Sequence, residues 1–63
     1  MADPPHAPDP VHSFKNHLAV VVGFSELVLS ELPEDSPHRQ DVMEILKAAQ
    51  DALALLATLF PKT

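Results

Sequence analysis

His12 and Asn16 are the residues of this 63-residue chain whose type and spacing could do chemistry. Four positions apart on a helix, they project from one face. A neutral imidazole is nucleophilic at pH 7, and its second nitrogen needs a partner that fixes the tautomer. A solvent-facing histidine at the head of an apolar helix is therefore a candidate phosphoryl acceptor. Lys15 and Ala19 share the same face by spacings of three and four, and Ser13 follows His12 directly. Lys15 could hold a phosphate electrostatically, although a solvated helix-face lysine explains it better.

Little else in the chain points to chemistry. His6, His12, His17 and His38 form no pair at i, i+4 and no Glu-x-x-His, so no metal site is expected. A phosphate-cradling loop needs several glycines, and Gly23 is the one glycine present. Inside a helix it costs about 1 kcal/mol relative to alanine, and it reads as permitting a close helix approach. The net charge is -5, with Lys15, Arg39, Lys47 and Lys62 as the fixed cations. That balance argues against nucleic acid, whose binding needs clustered cations, and against an anionic membrane surface. The longest apolar run, 18–24, falls far short of the ~20 residues a membrane span requires. No cysteine is present, and the N-terminus lacks the cations and apolar core of a signal peptide. A cytoplasmic location is the expectation.

The histidine must be positioned by helices. Pro4, Pro5 and Pro8 make residues 1–9 an extended, disordered tail. Asp9-Pro10 then fits a helix start, with Asp9 capping and Pro10 at the first helical position. Val11, Phe14, Leu18, Val21, Val28 and Leu32 recur at helical spacing, interrupted by Ser25. This predicts helix one over 10–32. Pro33-Glu34-Asp35-Ser36 is the turn, with Ser36 able to cap a second helix and Pro37 at its first position. Val42, Ile45, Ala49, Ala52, Leu56 and Leu59 repeat as a heptad seam, with Leu46, Leu53 and Phe60 as a second row. Helix two is predicted over 37–60, ended by Pro61, with 61–63 as a short tail.

Two helices joined by about four residues make an antiparallel hairpin. Their apolar stripes are wider than one helix contact needs, since helix one adds Val20, Val22, Leu27 and Leu29 to its main row. Each large side chain left in water forgoes ~1.5–3 kcal/mol. A chain this short rarely stabilises itself alone, and 46% hydrophobic residues are too many for disorder. The expectation is an all-α homodimer, two hairpins forming a four-helix bundle over residues 10–60.

The segment HSFKNHLAVVVGFSELVLSELPEDSPHRQ and the helix after it resemble the dimerisation and phosphoacceptor domain of sensor histidine kinases. The likeness is greatest to the hybrid-kinase subgroup, whose acceptor box reads roughly HDFNNLLTVILGYAELLL. His12, Phe14, Asn16, Leu18, Val21, Gly23, Glu26 and Leu27 carry it, and it spans residues 11–60. The resemblance implies that His12 accepts a phosphoryl group and passes it to an aspartate of a response-regulator receiver. Asn16 then holds the position that orients phosphate or water. Ser13 stands where the family has an acid, which implies weak autophosphorylation. The ATP-binding domain of the family has no counterpart here. No cofactor is expected on this chain, ATP acting only through a separate kinase domain.

Two functional classes follow. One is a histidine phosphotransfer module that homodimerises and docks a receiver, or is served by a cognate kinase. The other is a non-catalytic dimerisation or adaptor module that kept the bundle and lost the chemistry; Ser13 favours it. A bundle unrelated to such signalling is a third, and the acceptor box argues against it.

Overall fold

The computed structural model describes residues 9–61, which form two α-helices, α1 (Pro10–Glu31) and α2 (Arg39–Leu59), packed against each other. No strand occurs among the described residues. Of the tails expected over 1–9 and 61–63, residues 1–8 and 62–63 lie outside them, while Asp9 is described and caps α1.

The start of α1 is the one its sequence predicts. Asp9 adopts an extended backbone, φ -65° and ψ 112°. Its Oδ1 accepts from the backbone N–H of Val11 at 3.0 Å and of His12 at 3.4 Å. Pro10 has no N–H to satisfy, so the first turn loses nothing by holding proline there. The first backbone bond runs from Ser13 N–H to Asp9 C=O at 2.9 Å. At the other end Leu32 still donates to Val28 C=O, at 3.0 Å, but is itself extended at ψ 139°. Pro33 requires this, because its ring clashes with a helical residue before it.

The second helix begins two residues later than the proline rule suggests. The chain reverses through two tight i, i+3 bonds, Ser36 N–H to Pro33 C=O at 3.0 Å and Arg39 N–H to Ser36 C=O at 3.2 Å. Ser36 Oγ accepts from His38 N–H at 3.1 Å, so it caps this turn, while His38 is the residue preceding α2 and makes no side-chain cap. The first α-helical bond runs from Val42 N–H to His38 C=O. Phe60 N–H closes α2 on Leu56 C=O at 2.8 Å.

The seam between the helices is narrow. On α1 it holds Val11, Leu18, Val22, Ser25 and Leu29, with Leu32 just past its end; on α2 it holds Val42, Leu46, Ala49, Leu53 and Leu56, beside Ala52. Ser25 and Ala49, 7% and 4% exposed, are the two buried residues among those described. Both are small, which lets the helix axes approach closely at mid-hairpin. Ser25, which interrupts the apolar row when the sequence is read alone, is therefore part of the seam. Of the residues expected in the core of a dimeric bundle, Leu18, Leu32, Val42, Leu46, Ala49, Leu53 and Leu56 line this seam within one hairpin. Phe14, Val21, Val28, Ile45 and Leu59 do not, and stand exposed in the hairpin. The apolar arc of α1 covers about half its circumference, and the seam takes only one edge of it.

Candidate functional site

Successive helical residues turn by about 100°, so the seam of α1 divides its remaining surface into two flanks. His12, Lys15, Asn16, Ala19 and Gly23 fall on one flank and are all exposed. Phe14, Val21, Phe24 and Val28 fall on the other, with Val20 and Leu27 beyond them. The polar candidates are thus brought together on one strip, bordered on its far side by exposed Val20 and Leu27, one turn beyond Asn16 and Gly23. Ser13 is not among them. It lies about 100° around the helix from His12 and further from Lys15, and it is half-buried.

His12 sits in the first turn of α1, and its backbone N–H is held by Asp9. Among the described residues the His12 ring, Lys15 and Asn16 make no hydrogen bond or ion pair. Among the described residues no carboxylate pairs with the ring; the Asp9 carboxylate is engaged with the His12 backbone N–H instead. The first-turn N–H groups and the helix dipole give this end a positive partial charge, which favours a phosphoryl group on an adjacent side chain. That asset and an unobstructed imidazole are the chemistry available here.

Gly23 departs from its sequence reading. A methyl group built at its Cα would meet nothing within 4 Å, so it makes no close approach to α2. Instead Ala19 and Gly23 extend the His12 flank as a flat strip. Spacing alone could have found this, since 12, 16, 19 and 23 repeat at helical intervals.

Two grooves run along the hairpin. One, of about 430 Å³, is lined by Leu29, Arg39, Met43, Gln50 and their neighbours. Its cations are engaged: Arg39 on the Leu29 carbonyl at 3.0 Å, and Lys47 on Asp51 at 2.9 Å. The Asp51 hydrogen bond and charge hold the Lys47 ammonium above its usual pKa of 10.5. The other groove, of about 350 Å³, lies on the apolar side between Val20, Val21, Phe24, Val28, Val42 and Ile45. Among the described residues no cluster of His, Asp and Glu could hold a metal ion, and no helix is long and apolar enough to cross a membrane.

No protein-family model, no curated protein and no solved structure matches this chain.

Proposed function

We propose that this chain is a two-component signalling module of the cytoplasm, a homodimeric histidine phosphoacceptor domain that docks a response-regulator receiver. What carries the reading is the division of α1 into two flanks. His12 and Asn16 stand exposed on the flank across the seam from Phe14, Val21 and Val28, beside a strip flattened by Ala19 and Gly23. The apolar flank supports dimerisation. Phe14, Phe24 and Leu59 are 52%, 63% and 59% exposed, and no large side chain among the described residues is fully buried. A second copy covering that side completes a four-helix bundle and leaves both His12 flanks outward. Docking would use His12, Lys15, Asn16 and Ala19, with Asn16 orienting phosphate or water. Ser13 lies at the edge of that surface.

In the transfer, a ring nitrogen of neutral His12 attacks the phosphorus of the donor, and the donor's leaving group departs with the P–O or P–N bond electrons. The chain is a substrate of this step; ATP enters only through a separate kinase domain. The test is incubation with a small phosphoramidate donor or a cognate kinase, followed by mapping of an acid-labile, base-stable phosphate. Label on His12 that disappears in His12→Gln supports the reading. An unlabelled His12 beside a labelled control histidine protein overturns it.

Ser13, where the family resembled has an acid, favours a second reading, an adaptor that dimerises and binds partners without phosphotransfer. Partner binding that survives His12→Ala unchanged would select it.

A further inference from the structure

We propose that His17 makes the pairing of two copies sensitive to pH, so that the dimer holds at neutral pH and comes apart in mild acid. This rests on the homodimer of the preceding section and adds a control on it.

His17 is exposed and, unlike His12, lies on the apolar flank of α1. Residues three, four and seven apart share a helix face, so Phe14, Val20, Val21 and Phe24 surround it. All four are large hydrophobic side chains left exposed in the hairpin. Val20, Val21 and Phe24 also line the apolar groove, and His17 stands one turn beyond that groove, away from the interhelical turn. The acceptor box quoted above has leucine at this place. A titratable ring therefore sits inside the surface that a second copy has to cover.

That surface suits a copy of this chain. Phe14, Val21 and Val28 on α1 recur every seven residues, as do Ile45, Ala52 and Leu59 on α2, the repeat with which helices pair. The face is about 33 Å long from helix rise and roughly 20 Å wide for two helices side by side. Its projected area, on the order of 600 Å², is in scale with the ~800 Å² each partner gives to a standard interface.

No opposite charge stands beside the ring. On α1, Asp9 is bonded to the N–H groups of Val11 and His12, and His12, Lys15 and Glu26 lie on the other flank. Glu31 ends the helix about 21 Å away. On α2, Lys47 and Asp51 pair with each other at 2.9 Å, and Glu44 and Lys47 line the opposite groove. From Ala52 to Pro61 no side chain titrates. The carboxylates that a copy carries on this side, Glu31 and Asp41, are confined to the last turn of α1 and the first turn of α2.

An imidazole in water gains its proton near pH 6.5. Covered by apolar side chains, imidazolium loses its hydration and gains no carboxylate in return, so the dimer accepts the neutral form. Separated chains then bind the proton more tightly than the dimer does, and acid draws the equilibrium toward them. With two rings per dimer, the dissociation constant should rise roughly a hundredfold between pH 7.5 and 5.5. The rest of the chain predicts the reverse. Its net charge is -5, and protonation brings it toward zero, which lessens repulsion between copies. A copy that set Glu31 or Asp41 against His17 would likewise tighten in acid.

Sedimentation equilibrium of the full chain at the two pH values, beside His17→Leu and His17→Gln, tests this. A dissociation constant that rises about a hundredfold in the parent and stays nearly constant in the variants supports the proposal. Where circular dichroism shows one variant unfolded, the other decides. A constant that ignores pH, that falls in acid, or that rises equally in the variants overturns the switch and leaves the homodimer standing. A parent chain that is monomeric at pH 7.5 and high micromolar concentration overturns switch and homodimer together. Phosphate labelling of His12 is measured independently, so neither result touches the phosphoacceptor reading.

Discussion

Arg39 Nη1 lies 3.0 Å from the carbonyl oxygen of Leu29, ten residues earlier in the chain. In a continuing helix that carbonyl would accept from residue 33, but residue 33 is proline and has no N–H. The first residue of α2 thus supplies the donor that the end of α1 lacks, and the positive guanidinium meets the negative end of the α1 dipole. The hairpin is closed by an arginine because it is opened by a proline.

Arg39→Ala should therefore destabilise the hairpin by about 1–2 kcal/mol, toward the low end for a hydrogen bond to a charged group because this one is only partly buried. Pro33→Ala restores a backbone donor to Leu29. In that background the cost of Arg39→Ala should fall to less than half, measured by denaturant unfolding as a double-mutant cycle. Equal costs in both backgrounds would mean that Arg39 serves something other than this carbonyl.

Asp9 holds the turn that carries His12. Asp9→Ala should cost about 1 kcal/mol, while Asp9→Ser, which can still cap, should cost a few tenths. Amide exchange at Val11 and His12 should quicken in the alanine variant alone. Should the two variants unfold together, the side-chain cap contributes nothing.

Gly23 has open space around its Cα. Gly23→Ala should raise stability by about 1 kcal/mol through helix propensity, seen as a higher melting temperature. A Gly23→Leu chain should also fold, and under the proposed function its receiver binding should weaken at least tenfold, because the side chain rises from the docking strip. Unchanged binding would remove Gly23 from that surface.

Lys47 gives the pH signature. Its pKa is raised in the folded chain by the hydrogen bond and charge of Asp51, with a further contribution from Glu44. Protons are thus bound more tightly folded than unfolded. The stabilisation is complete below the usual value of 10.5 and is lost as pH rises through the raised folded value. A melting-temperature series from pH 9 to 12 should show that loss in the parent chain and not in Lys47→Met. Both groups are well exposed, so the effect is small and shrinks with added salt.

Much of this architecture is local chemistry that residue types declare. Asp9-Pro10 marks the start of α1 because a carboxylate can take the unpaired N–H groups and proline has none to waste. Pro33 marks its end for the same stereochemical reason. The start of α2 is less legible. Pro37 is well suited to a first helical position, yet the chain must first reverse direction, and the i, i+3 bonds around Ser36 use up Pro37 and His38.

The positions of His12, Lys15, Asn16 and Ala19 on one helical face follow from spacing, and so does the surplus of apolar side chains, because helical periodicity is fixed by backbone geometry. Which edge of that surplus meets α2 is a matter of packing between elements. Ser25 and Ala49 took the centre because close approach of two helices rewards small side chains, and Val21 and Val28 were left beside the seam. The bond from Arg39 to Leu29 was likewise hidden, since ten residues of chain separate its ends until the turn folds them together.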